Sequence, residues 1–113
     1  MIQIDKEEIT DWGKIHYYKS LEDTFRFAIY EYNDEPGVIY LSNMFVSPES
    51  RHVGFGNTIL KLVDEIAKNK GAYVIFLKVK KGSFAHNWYN RHGYIDNQVD
   101  KEDNAMIWMK KEI

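Results

Sequence analysis

The chain has 113 residues, enough for one domain with a single core that needs no covalent staples. It lacks cysteine, which excludes disulfides, thiolate zinc sites and a cysteine nucleophile. Its formal charge of −2 comes from interspersed acidic and basic residues, so no basic footprint for nucleic acid is present. Residues 1–8 have neither the basic start nor the apolar run of a signal peptide, and no apolar stretch reaches the roughly 20 residues of a membrane helix. The expectation is a cytoplasmic, soluble single domain over 1–113 without membrane association.

In chain order, the first dozen residues are weakly patterned. Residues 14–19 alternate well enough for a first strand, and residues 20–23 read as a turn. Residues 24–32 form a second strand, with Phe25, Phe27 and Ile29 on one face and Arg26, Ala28 and Tyr30 on the other. Pro36 and Gly37 mark a turn, because proline presets φ and glycine accepts positive φ. Residues 38–46 are apolar on both faces, as a central strand is. These three strands read as an antiparallel meander.

A loop with two glycines follows, and then Ile59, Leu60, Val63, Ile66 and Ala67 recur at helical spacing up to Gly71, which sits where a C′ residue belongs. Residues 73–79 are again β-rich and nearly continuously apolar, as a buried parallel strand is. Strand, crossover helix and strand make a βαβ unit. Ser83 can cap a short helix that Gly93 ends, and residues 94–97 and 105–110 read as two closing strands. The order is β-β-β-α-β-α-β-β, an α/β domain on one mixed sheet.

Arg51, Gly54 and Gly56 form an Arg-x-x-Gly-x-Gly run between strand and helix. The first amides of a helix have no intrahelical partner and carry partial positive charge, so this turn is an anion site that glycines leave open to close approach. No Gly-Lys-Ser/Thr closes the run, so it is not a Walker loop, and it is a poor dinucleotide fingerprint because Ile59 stands where a third small residue is expected. Ala85, Trp88, Tyr89, Gly93 and Tyr94 make a second motif on the short helix and the strand after it.

The two motifs, in this order and with a βαβ unit between them, resemble the GNAT superfamily of N-acetyltransferases over roughly residues 24–110. The chain reads as a short member lacking most of the usual N-terminal helical segment. Gly82 occupies the family's usual asparagine position. The resemblance implies an acetyl-CoA-dependent N-acetyltransferase with a small-molecule or protein amine as acceptor. The alternative is a non-catalytic acyl-CoA-binding module that regulates a protein partner, and a homodimer is compatible with either.

By the same resemblance, coenzyme A would use Arg51, His52, Val53, Gly54, Phe55, Gly56, Asn57 and Thr58 for its diphosphate. Met44, Phe45 and Val46 would flank its pantetheine arm where two parallel strands splay, with Trp88 and Tyr89 beside it. Tyr89 matches the tyrosine that protonates the departing thiolate; a phenol near 10 and a thiol near 8.5 are close enough for that exchange. The strand before the loop has Tyr40, Ser42 and Asn43 but no carboxylate to serve as base. His16 is a candidate base if the first strand borders the site, while Glu22, Glu31 and Asp96 are left unranked. The histidines show no metal-ligand spacing, so no metal site is expected.

Overall fold

A computed structural model describes residues 2–51 and 54–113. Seven strands form one sheet: β1 (Ile2–Ile9), β2 (Gly13–Ser20), β3 (Phe25–Tyr32), β4 (Val38–Val46), β5 (Val74–Lys80), β6 (Ile95–Val99) and β7 (Met106–Glu112). Helix α1 (Phe55–Asn69) joins β4 to β5, and α2 (Phe84–Arg91) joins β5 to β6. The order across the sheet is β1-β2-β3-β4-β5-β7-β6, with β4 beside β5 as the one parallel pair among the described strands. This is the mixed sheet with crossover helices expected from the sequence, and β4 is its middle strand.

One strand was not visible in the sequence. The N-terminal residues, weakly patterned as a string, form β1 against β2, so the antiparallel meander has four strands. The reason is that β1 is an edge strand whose residues 3–9 are all exposed. Backbone hydrogen bonds hold it, and with neither face buried no alternation of apolar residues is required.

Strand alternation sorts the sheet into two unlike faces. One carries Phe27, Ile29, Ile39, Leu41, Ile75, Leu77 and Met109, all buried in one cluster with Ile59, Val63 and Ala67 of α1 and Tyr89 of α2. The helical periodicity read in residues 59–67 is therefore the face α1 buries. The other face carries Tyr30, Tyr32, Tyr40, Phe76 and Trp108, half-buried and packed ring against ring. Ser83 caps α2 as its sequence position implies, its Oγ accepting from the His86 amide at 3.2 Å.

The feature that positions the site is the parting of β4 from β5. Their ladder joins only Val38, Ile39 and Tyr40 to Val74, Ile75 and Phe76, although β4 runs on to Val46 and β5 to Lys80. Asn43 lies in the left-handed region at φ 53°, where the β3–β4 register also shifts. A bulge adds a residue and bends its strand. Here it keeps the outer half of β4 on β3 and releases it from β5.

Candidate active site

The α1 N-terminus and the parted strands are the two ends of a row of adjoining hollows, which together form the candidate channel. Gly54 is the N-cap of α1 at φ 86°, exposed, and a Cβ placed on it would meet no atom of the described residues beyond its chain neighbours within 4 Å. An L-residue is strained there, and glycine removes that cost. Lacking a side chain, Gly54 gives the first-turn amides of Phe55, Gly56 and Asn57 no side-chain cap. Thr58, included with the loop by the sequence, already donates its amide to the Gly54 carbonyl at 3.2 Å, as does its hydroxyl at 3.3 Å. His52 and Val53 lie outside the described residues.

A hollow of about 290 Å³ sits on this loop, bordered by Val46, Arg51, Gly54, Gly56 and Trp88. Gly56 and Trp88 also line a second hollow of about 280 Å³, whose other walls include Met44, Ala85 and Tyr89. Met44, Ala85 and Tyr89 in turn line a third, of about 530 Å³, between the parted strands. The shared walls place the three side by side, from the loop to the parted strands. Gly56 is what lets the Trp88 ring lie on the loop, since a Cβ there would come within 2.9 Å of Trp88 Cζ2.

The side chains along the channel are held by specific contacts. Arg51 donates from Nε to the Val46 carbonyl at 3.1 Å. Phe45 is exposed and lies under two guanidiniums, Arg26 at 5.0 Å and Arg51 at 5.9 Å. His92 bridges the helices, with Nε2 2.6 Å from Asn57 Oδ1 and Nδ1 2.8 Å from the Trp88 carbonyl. Tyr89 is buried and its hydroxyl donates to the Met44 sulfur at 3.3 Å. Burial pushes this phenol up to about 12, so it is protonated throughout the neutral range.

The wide cavity ends among Tyr30, Tyr32, Tyr40 and Trp108. Here the sequence reading was incomplete. It found no carboxylate on β4, yet the Tyr40 hydroxyl donates to Glu35 Oε1 at 2.6 Å. Burial, and then the bond to Glu35, raises the Tyr40 phenol well above its ordinary value. Glu35 belongs to the turn before β4, so only folding brings its carboxylate behind a strand residue. Trp108 lines the cavity rather than the core, and its indole N–H donates to Asp100 Oδ1 at 2.9 Å. That hydrogen bond holds the Asp100 carboxyl below the usual range.

His16 stands elsewhere. It is buried on β2, with Nδ1 2.6 Å from Glu7 Oε2 and Nε2 2.5 Å from Glu31 Oε2. Lys70, at the C-terminal cap of α1, adds its ammonium to Glu31 at 3.0 Å. A 15-residue helix is ~22 Å long, so this cluster lies at the end of α1 remote from Gly54. Asp96 is likewise engaged, 2.8 Å from His86 Nε2, and Glu22 lies in an exposed turn. Among the described residues no group of three or more His, Cys, Asp or Glu is arranged to hold a metal ion, and no helix is long and apolar enough to cross a membrane.

Solved structures share this arrangement of strands and helices. A PaiA N-acetyltransferase from Thermoplasma acidophilum, in complex with coenzyme A, superposes with a TM-score of 0.73 at 19% identity, over 88% of this chain and 61% of its own. A GNAT family acetyltransferase from Elizabethkingia anophelis with acetyl-CoA bound gives 0.71 at 19% identity, over 89% of this chain and 76% of its own. An acyl-CoA N-acyltransferase from Pseudomonas aeruginosa gives 0.72 at 17% identity, over 88% of this chain and 69% of its own. The chain therefore spans about three-fifths to three-quarters of these structures. No curated protein matched it in sequence. The model of the Acetyltransferase (GNAT) family matches residues 10–94, most of the chain and both glycine-bearing motifs, and the chain belongs to that family.

Proposed function

We propose that the protein is an acyl-CoA-dependent N-acyltransferase, with acetyl-CoA as donor and a primary amine as acceptor. The observation that carries this reading is the row of three adjoining hollows. They run from the N-terminus of α1 to the gap between the parted strands, and the wide hollow in that gap extends to Tyr30, Tyr32, Tyr40 and Trp108. A donor with an anionic head and a long thin arm matches that shape: diphosphate on the amides of residues 55–57, arm past Met44 and Trp88, thioester in the gap. Arg51 adds positive charge at the head.

The reaction needs no covalent enzyme intermediate. The amine enters neutral, its lone pair forms a C–N bond at the thioester carbon, and the C–S bond breaks. The nitrogen then sheds one proton to solvent at the cavity mouth, and the sulfur takes one. Backbone amides of β4 freed from β5 stabilise the oxyanion during the transfer. Tyr89 is the group we assign to the sulfur. Its hydroxyl already donates to a divalent sulfur, that of Met44, and a thiolate is a much stronger acceptor than a thioether. We assign no part in the transfer to His16, which two carboxylates hold at the other end of α1.

The test is calorimetric titration with acetyl-CoA, followed by thiol release over a panel of primary amines. Binding together with amine-dependent thiol release is expected. Tight binding without consumption of the thioester by any amine identifies a non-catalytic acyl-CoA module, and failure of the folded protein to bind ends the reading.

A further inference from the structure

We infer that the acceptor is a flexible aliphatic amine carrying a second positive charge, which is held by the rings of Tyr32, Tyr40 and Trp108, with the Glu35 carboxylate behind Tyr40 adding negative charge to the site. This rests on the acyltransferase reading for the first amine, but the cation site itself stands on its own geometry.

The rings are fixed before any ligand arrives. Tyr40 lies edge-on to Tyr32 at 5.1 Å between centroids and to Trp108 at 5.8 Å, and it stacks on Phe76 at 5.5 Å. Trp12 backs the group, 5.0 Å from Tyr32. Aromatic faces attract alkylammonium ions through their quadrupole, and more strongly where water is partly excluded. Trp108 already does this, with Lys78 Nζ 5.3 Å over its ring.

The surrounding charge has the matching sign. Glu35 accepts from Tyr40, and both Asp34 and Glu35 act on the Tyr40 phenol through their fields. The one cation lining the cavity among the described residues is Lys78, and Asp100 offsets it at 3.9 Å. The tyrosine hydroxyl and the indole N–H are both committed to carboxylates, so they are poorly placed to bind an anion. An amine bearing a carboxylate would meet Glu35 and Asp34 as like charges.

Spacing sets the length. Tyr40 and Ser42 lie on the same side of β4, about 7 Å apart along the strand, and the β4–β5 gap opens beyond Tyr40. A chain of about four carbons separates two nitrogens by a comparable distance. One nitrogen then reaches the thioester while the other sits among the rings.

Three four-carbon amines that differ in their second end isolate the charge: 1,4-diaminobutane, butylamine and 4-aminobutanoate. With acetyl-CoA as donor, the diamine is expected to have a KM at least about tenfold below that of butylamine, with 4-aminobutanoate the poorest. Glu35→Gln, which keeps size and hydrogen bonding, brings the diamine-to-butylamine ratio towards one and leaves coenzyme A affinity as the folding control. Calorimetry of the three compounds on the coenzyme A-loaded protein gives the same ranking without turnover. Equal KM values for diamine and butylamine, or an unchanged ratio in Glu35→Gln, overturn the inference. So does a preference for 4-aminobutanoate, which would make Lys78 the reader of an anion. Selective diamine binding without thiol release keeps the cation site and removes the acyltransferase reading.

Discussion

The charge at residue 54 is the most direct handle on the channel. Gly54→Asp and Gly54→Asn place side chains of nearly equal size in a left-handed position that both residues tolerate better than other L-residues. The Cβ of either has room, since a Cβ at Gly54 meets no atom of the described residues beyond its chain neighbours within 4 Å. The pair therefore differs in one negative charge at the mouth of the amide nest. With that charge ~6 Å from each of two phosphate charges in a water-like dielectric, each repulsion costs about 0.7 kcal/mol. Together they cost about 1.4 kcal/mol, a tenfold loss of affinity, and a lower effective dielectric would increase it. Calorimetric titration of coenzyme A should rank Asn above Asp by at least that factor, and the gap should shrink in high salt. Pantetheine, without the diphosphate, should bind both variants alike. Equal coenzyme A affinity in Asp, Asn and wild type would refute a diphosphate on this loop.

Two further outcomes follow from named contacts. Tyr89→Phe removes a hydroxyl bonded only weakly to a thioether, so the fold should be nearly unaffected, while kcat for acetyl transfer falls about 100-fold or more with KM little changed. A KM effect alone, in steady-state kinetics, would mean Tyr89 only shapes the channel. The Glu31 carboxyl is raised by burial, but hydrogen bonds to Lys70 and His16 outweigh this and hold it below its ordinary value of 4.5. A depressed folded value stabilises above the unfolded one and is lost as pH falls through the folded one. Wild type should thus lose stability progressively below about pH 4.5, and Glu31→Gln should be less stable at pH 7 with a shallower acid slope in urea melts. An unchanged slope would mean that Glu31 is not the linked group.

Much of the fold is legible in the string because burial writes periodicity into it. The apolar run of β4, the helical spacing of residues 59–67 and the Pro36-Gly37 turn each report a local geometry with a local cause. The Gly54 and Gly56 positions belong to the same class, since backbone angle and close approach admit little else there. Strand β1 left no trace because an exposed edge strand is specified by backbone pairing, which any side chain permits.

What the sequence determined by itself was the order of elements from β2 onward, the start of α1 at a glycine loop and Tyr89 on the second helix. The tertiary structure decided which residues meet across long separations. It moved His16 into a carboxylate cluster at the far end of α1, set Glu35 behind Tyr40, and brought Trp108 from the last strand to the cavity between β4 and β5. Those meetings depend on strand register and on the bulge at Asn43, which are properties of the assembled sheet. A one-residue change of register would turn a strand side chain such as Trp108 to the opposite face; alternation fixes which face a strand buries, but which distant residues then meet depends on the assembled sheet.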